Sequence, residues 1–187
     1  MENLELVLPE IFLSISIMFL LILGVFKKNS SKLIQTISLI VLLITTMITF
    51  NETLSIEKML LFNNSIIVDY LSSFMKIITL ISAFFVLLIS SSYLRIFKIL
   101  KIEYPILILS SVLGMMIMIS SNDLIVFYMG LELQSLALYV LATFNRDQLK
   151  SSEAGLKYFV LSALSSGLLL YGCSLIYGFT GSTNFKL

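Results

Sequence analysis

Long apolar runs separated by short polar stretches dominate the chain. The runs that are long enough to cross a bilayer cover residues 8–26, 33–50, 71–94, 105–121, 124–143 and 154–177. A membrane-spanning helix needs about 20 predominantly apolar residues, whereas the strands of a membrane barrel are shorter and alternate in polarity. The pattern therefore predicts an all-α, polytopic membrane bundle of about six transmembrane helices.

The polar stretches are too short to form a soluble domain. Residues 51–70 are the longest connection, and they mix polar and apolar side chains, so we expect them to lie at the membrane interface. The sequence shows no internal repeat and no low-complexity tract. Residues 1–187 are accordingly interpreted as a single membrane domain.

Composition agrees with this class and excludes several others. The chain is 58% hydrophobic and 12% charged, and a soluble domain is normally about 25% charged. It has no histidine and one cysteine, Cys173, so we predict no metal site, no histidine-dependent catalytic triad and no disulfide framework. A net charge of +1 gives no indication of nucleic-acid binding.

The loop charges predict an orientation. Basic residues occupy alternate connections: Lys27, Lys28, Lys32, Arg95, Lys98, Lys101, Arg146 and Lys150. The other side carries mainly acidic residues: Glu2, Glu5, Glu10, Glu52, Glu57, Asp69 and Asp123. Because basic loops face the cytoplasm or matrix, both termini are expected on the outer side, in the intermembrane space or periplasm.

Three charged residues, Lys76, Glu132 and Lys157, fall inside the apolar runs. Lys76 is close enough to the end of its run to snorkel to the surface. Lys157 can be interpreted in the same way or as a functional residue. Glu132 differs, because it lies roughly 12 Å along the helix from Leu124, near the midplane. A carboxylate there costs about 2.5 to 3.5 kcal/mol, so it must be protonated, paired or hydrated. This favours proton or ion handling over a simple packing hydrogen bond.

Neighbours of Glu132 extend a polar seam along the same helix face. Tyr128, Ser135 and Tyr139 follow the three- and four-residue spacing that places side chains on one face, and their hydroxyls are candidates to order water beside the carboxyl group. Gln134 is expected to face another helix.

Small residues also mark the sixth run. Ser162, Ala163, Ser166 and Gly167 give overlapping pairs of small residues four positions apart, a pattern that favours close helix packing rather than chemistry.

Two blocks of the chain resemble a known family. They are "SSNDLIVFYMGLELQSLALYVLATFNRD" and "SSEAGLKYFVLSALSSGLLLYGCSLIYGFTGSTNF", and "LPEIFLS" near the N-terminus agrees with them. They resemble subunit 2 of the proton-pumping NADH dehydrogenase, respiratory complex I, whose bacterial counterpart is the N-type antiporter-like subunit. The motif "GLELQSLALYVL" favours the N-type over related antiporter subunits.

The resemblance implies a role for Glu132. In the family the corresponding glutamate pairs with a lysine on a later, broken helix, and the separation of the two groups tunes the pKa of that lysine during pumping. Lys157 matches the lysine of the family's "EAxxKYF" motif and is a candidate proton-path or charge-network residue. The resemblance thus implies a subunit that couples NADH-to-quinone electron transfer to proton pumping. A cation/proton antiporter or membrane-bound hydrogenase subunit, or a non-pumping scaffold, is the alternative.

The resemblance also implies partners and cofactors. No cofactor is expected in this chain; NADH, FMN, iron–sulfur clusters and ubiquinone are expected elsewhere in the complex. The family's proton-carrying lysines lie on helices beyond Leu187. Our hypothesis is therefore an N-terminal portion whose remaining helices belong to a separate chain, with other complex I membrane subunits and lipids as further partners.

Composition bears on the compartment. Ile, Leu, Phe, Lys and Asn are plentiful and Ala, Gly, Pro and Arg are scarce, as an AT-rich organellar genome would give. This predicts the mitochondrial inner membrane, with a bacterial plasma membrane as the alternative.

Overall fold

The structure, a computed structural model, describes residues 2–26, 31–53, 58–96 and 101–185. Within these residues a short 3-10 helix, Glu2–Val7, precedes six α-helices. The α-helices are α1 (Leu8–Phe26), α2 (Ser31–Thr53), α3 (Tyr70–Ile96), α4 (Glu103–Ile119), α5 (Leu124–Ala142) and α6 (Leu149–Thr180). The predicted all-α membrane bundle is confirmed.

Helix length agrees with membrane spanning for most of the bundle. Five helices are long and apolar enough to cross a bilayer, and α4 is shorter, with 17 residues. At 1.5 Å per residue, α4 extends about 26 Å, close to the lower limit for a span.

The ends of α6 lie outside its predicted range, residues 154–177. This helix has 32 residues, and Gly181, whose φ of 70° is left-handed, caps its end by donating its N–H to Tyr177 O. The apolar pattern identifies the part of a helix that lies in lipid, whereas capping residues set where the helix stops.

Residues 58–69 contain a small β-hairpin that the sequence did not predict. Its strands are β1 (Met59–Leu61) and β2 (Ile66–Val68), and they pair antiparallel. The turn places Phe62, Asn63 and Asn64 at positive φ, which is common for Asn but unusual for a bulky residue. Strands this short, without an Asn-Gly turn signal, give too little alternation to be identified from sequence.

The hairpin, the α4–α5 connection (120–123) and residues 181–185 meet at one end of the bundle, here called the hairpin end. Backbone hydrogen bonds join them: Ile67 N–H to Ser120 O, Asn122 N–H to Ser65 O and Leu124 N–H to Thr183 O. Asp123 caps α5 by accepting from Ile125 N–H at 2.8 Å, and it also accepts from the Thr183 hydroxyl.

At the opposite end Lys101 and the start of α4 meet the α5–α6 connection. The Tyr104 and Phe144 rings pack edge to face with centroids 5.5 Å apart, and Lys101 Nζ lies 5.8 Å from the Phe144 centroid. Arg146 and Lys150 are exposed here. Lys27, Lys28, Glu57, Lys98 and Lys186 lie outside the described residues. Which end faces which compartment stays a prediction.

Helices α1 to α4 enclose the apolar core. Its fully buried members include Leu13, Leu20, Leu42, Leu80, Leu87, Leu109 and Met116. By contrast, α6 buries only Gly155 and Cys173 against the described residues, and an added Cβ at Gly167 would meet no described atom within 4 Å. Gly167, one of the small residues singled out in the sequence, therefore lies away from the described helices.

Candidate functional site

The helix that contains Glu132 is held against α4 by direct backbone contact. A Cβ added at Gly114 would lie 2.8 Å from Gly130 O and 2.6 Å from Gln134 N. A Cβ added at Gly130 would lie 2.8 Å from Met118 N. Glycines at both positions let the two backbones approach, and this sets the depth and rotation of α5. The expectation that Gln134 lies toward another helix agrees with its backbone position.

Glu132 lies near the middle of α5, two residues beyond this crossing. Its Oε1 atom is buried, and it has no hydrogen-bond partner among the residues that the structure describes. A buried carboxylate oxygen without a partner is costly, because the water it has lost is not replaced. A bound proton, a cation or a water molecule beside this oxygen would remove that cost.

Two residues of the polar seam around Glu132 contact groups other than its carboxylate. Ser135 donates its hydroxyl hydrogen to the Glu132 backbone oxygen at 3.1 Å, not to the carboxylate. Tyr139 is buried, and its ring packs edge to face on Tyr158 and Phe159 of α6, with centroids 4.9 and 5.7 Å away. The idea that these hydroxyls order water beside the carboxyl group stays a prediction.

Lys157 forms a local ion pair. Its Nζ lies 2.6 Å from Glu153 Oε1, one turn earlier on α6, and the two side chains are 67% and 53% exposed within the described chain. The described fold does not bring Lys157 into an ion pair with Glu132.

Lys76 behaves differently from its predicted snorkelling. Its Nζ lies 2.5 Å from Glu10 Oε1, and the side chains are 3% and 9% exposed. The snorkelling interpretation of Lys76 is therefore wrong, and so is the placement of Glu10 among the charges outside the bundle.

The sequence contained a signal for this pair. Glu10, Leu13, Ile17 and Leu20 are all buried on α1, and their spacing is that of one helix face. Glu10 thus continues the core-facing stripe of α1 by one turn. Counting charges near the ends of apolar runs could not detect this, because it ignores which face a residue occupies.

Comparisons with known proteins agree with the resemblance. A family model described as "NADH:quinone oxidoreductase/Mrp antiporter, TM" matches residues 121–187. NADH-quinone oxidoreductase subunit N from Pelagibacter ubique is 69% identical over 187 residues, which are 100% of this chain and 40% of that protein.

Solved structures share the fold. A chain in the structure of respiratory complex I from Thermus thermophilus with bound aureothin matches with a TM-score of 0.81 and 26% identity, over 96% of this chain and 38% of that one. A chain of the Mrp complex from Dietzia sp. matches with a TM-score of 0.76, 21% identity, and coverage of 97% and 36%. At that identity the second match concerns the fold alone.

These matches confirm the resemblance stated from the sequence. The chain spans about 40% of the length of the first curated relative. The relatives are bacterial proteins.

Proposed function

We propose that this chain, homologous along its whole length to part of NADH-quinone oxidoreductase subunit N, is an antiporter-like membrane subunit of a proton-translocating NADH:quinone oxidoreductase. In this complex it couples electron transfer from NADH to quinone with proton movement across the membrane. The chain itself contributes helices and ionisable groups, and electrons travel through other subunits.

Glu132 is the observation on which this proposal rests. Its carboxyl group lies in mid-helix with one oxygen buried, and that oxygen is unpartnered in the described part of the chain. A carboxylate in such a place responds strongly to a nearby positive charge, because low dielectric strengthens the interaction. Moving a cation toward or away from Glu132 would therefore load or release a proton on that cation.

The cation is proposed to come from the part of the subunit that the relatives have beyond the matched region. Lys76 and Lys157 are paired with Glu10 and Glu153. The exposed surface of α6 offers room for further helices. That these helices belong to a separate chain stays a prediction; intact-mass measurement of the purified complex would reject it if the subunit continues past Leu187.

Lys157 is proposed as a charge-network residue beside this site. Its ion pair with Glu153 is exposed within the described chain. Helices added against α6 would therefore change the surroundings of Lys157 more than the surroundings of residues that are already buried.

The test is Glu132→Gln, which keeps the side-chain shape and removes the ionisable proton. We expect an assembled complex with lower NADH:quinone activity and reduced proton pumping. Glu103→Gln, at an exposed position on α4, is the matched control and should pump normally. Normal pumping by Glu132→Gln would reject the proposed mechanism.

Two alternatives have supporting observations. The family model that matches residues 121–187 is described as "NADH:quinone oxidoreductase/Mrp antiporter, TM", which supports a cation/proton antiporter subunit. A non-pumping scaffold is supported by the lack of a cation beside Glu132 among the described ion pairs. Co-purification with NADH-oxidising iron–sulfur subunits would exclude an antiporter subunit and a hydrogenase subunit. Full activity of Glu132→Gln, with loss of the complex when the chain is deleted, would favour the scaffold.

Cofactors and compartment complete the proposal. NADH, FMN, iron–sulfur clusters and ubiquinone are assigned to other subunits, and the purified complex should contain them. The mitochondrial inner membrane stays a prediction from composition, whereas the bacterial relatives favour the alternative, a bacterial plasma membrane. Fractionation of the source cells with an antibody to this chain would decide between them.

A further inference from the structure

One residue of the α4–α5 connection bonds to two other parts of the hairpin end. Asn122 directly precedes Asp123, the N-cap residue of α5, and it is 5% exposed. Its backbone N–H donates to Ser65 O at 2.9 Å, and its backbone oxygen accepts from Phe185 N–H at 3.1 Å. The main chain of Asn122 therefore lies between the hairpin and the residues that follow α6.

The Asn122 side chain bonds to the same two segments. Its amide nitrogen Nδ2 donates to Asn64 O in the hairpin turn at 2.7 Å and to Asn184 Oδ1 at 3.3 Å. Asn184 donates from its own Nδ2 to that Asn64 oxygen at 3.1 Å. A backbone oxygen can only accept, so Asn122 must present its donating nitrogen to the hairpin. A residue with a different polar group would not reproduce these bonds.

These bonds hold α5 in place relative to α6. Residues 181–185 follow α6 directly, and their bonds to Asn122 tie the end of α6 to the chain just before α5. Asp123 and Leu124 bond to Thr183 in the same segment, and Asn122 adds the connection to the hairpin. Because Asn122 is buried, its amide would remain desolvated if these partners moved away, which opposes such a movement.

The position of α5 relative to α6 bears on Glu132. This residue lies roughly 12 Å along the helix from Leu124, and the regular rise of a helix transmits an axial displacement of its first turn to its middle. The cation proposed to act with Glu132 comes from helices packed against the exposed surface of α6. The energy of a charge pair depends on the separation of its members, and a low dielectric increases that dependence.

We propose that Asn122 is a positioning residue for Glu132. By joining the hairpin and the end of α6 to the start of α5, it sets the depth of Glu132 relative to α6 and hence its distance from the proposed cation. The inference rests on the proposed function, because it requires that cation. Asn122 lies outside α5 and acts on the carboxyl group through the helix.

A purely structural role of Asn122 leads to a different expectation. A structural anchor changes how much complex assembles and the temperature at which it unfolds, but the complex that has assembled pumps normally. A positioning residue changes proton pumping by the assembled complex, and its effect depends on the side chain at position 132.

The first test is Asn122→Asp, which keeps the side-chain shape and places an oxygen opposite Asn64 O. We expect proton pumping per assembled complex in proteoliposomes to fall by about twofold or more, the smallest effect that coupled residues usually show. Asn63→Asp makes the same chemical change at an exposed position of the hairpin turn and should pump normally. Normal pumping by Asn122→Asp, or an equal fall in Asn63→Asp, would overturn the proposal.

The second test combines this substitution with Glu132→Gln. Residues that act through one another have non-additive effects, so Asn122→Asp/Glu132→Gln should pump as well as Glu132→Gln alone. A further fall by the factor seen with Glu132 present would overturn the proposal, because it shows an independent effect. If Glu132→Gln leaves no measurable pumping, Glu132→Asp replaces it in the same comparison, and additive losses again count against the proposal.

Asn122→Ala covers the case in which Asn122→Asp does not assemble. It removes the side-chain hydrogen bonds without adding charge and keeps the backbone bonds to Ser65 and Phe185. We expect this variant to assemble and to show reduced pumping that depends on Glu132. If neither variant assembles, Asn122 is a structural anchor and the proposal is wrong.

The proposed function and this inference fail in different ways. Normal pumping by Glu132→Gln alone rejects the proposed function, and the positioning role of Asn122 with it. Reduced pumping by Glu132→Gln, together with an additive loss in Asn122→Asp/Glu132→Gln, rejects the positioning role and leaves the proposed function standing.

Discussion

Lys76 of α3 and Glu10 of α1 form a buried ion pair, with 2.5 Å between Nζ and Oε1. The pair joins two helices that are distant in sequence, close to the end of the bundle where the hairpin lies. Each charge depends on the other, because both side chains are almost completely buried.

Removing one member of this pair should destabilise the fold strongly. Lys76→Met leaves the Glu10 carboxylate buried without its cation, which typically costs about 3 to 5 kcal/mol. We expect a clear loss of assembled complex and a lower thermal unfolding temperature, with much of the loss recovered in Glu10→Gln/Lys76→Met. Glu153→Gln breaks the exposed pair on α6 and should cost at most about 0.5 kcal/mol. Equal stability of Lys76→Met and Glu153→Gln would contradict the buried pair.

The crossing of α4 and α5 gives a second prediction. In Gly130→Ala the new methyl group would lie 2.8 Å from Met118 N, a backbone atom that cannot rotate away. Overpacking of this kind costs about 1 to 3 kcal/mol, so we expect lower thermal stability and reduced activity because Glu132 shifts with α5. Gly178→Ala is the control, since its Cβ meets no described atom within 4 Å. The thermal unfolding temperatures of the two purified complexes should be compared. Similar temperatures would argue against the close approach of the α4 and α5 backbones.

Asp123 gives a third prediction, at the start of α5. Its carboxylate accepts from Ile125 N–H and from the Thr183 hydroxyl. Asp123→Ala removes both bonds; loss of a helix cap alone costs about 0.5 to 2 kcal/mol. We expect faster limited proteolysis after α6, because residues 181–185 lose an anchor. Asp123→Asn keeps a cap acceptor and should be cleaved at nearly the wild-type rate; identical rates for all three proteins would count against the anchor.

Lys157 gives a prediction about activity. If it belongs to the proton path, Lys157→Met should lower coupled NADH:quinone activity while the complex assembles normally, because the exposed ion pair contributes less than about 1 kcal/mol. Glu153→Gln is the matched variant, since it breaks the same pair and keeps the lysine. Activity and proton pumping of both variants should be measured in proteoliposomes. A similar decrease in activity in both variants would mean that activity depends on the ion pair and not on the lysine itself.

Length and apolarity were sufficient to predict the helices, because each membrane span must satisfy its backbone hydrogen bonds internally. They were insufficient for Glu10, whose burial depends on which face of α1 packs against α2 and α4. The hairpin was also not predicted. Its turn depends on positive φ angles at Phe62, Asn63 and Asn64, and these are not visible in the alternation of polar and apolar residues.

The candidate site was predictable only in part. The position of Glu132 within its apolar run is visible in the sequence, and so are the glycines that mark a close helix approach. That Gly114 and Gly130 meet each other depends on the crossing of two helices, which a linear pattern does not contain. The cation proposed as the partner of Glu132 lies outside the described residues, so no pattern within them identifies it.

The glycine crossing has a mechanical consequence. Sliding α5 along α4 would bring a residue that has a Cβ into the position of Gly130, 2.8 Å from Met118 N, so we expect the two backbones to move together. The backbone of Glu132 is then expected to stay at a fixed depth relative to α4. In the proposed switch, a change in the distance between Glu132 and a cation would come from the side chains or from the helix that holds the cation.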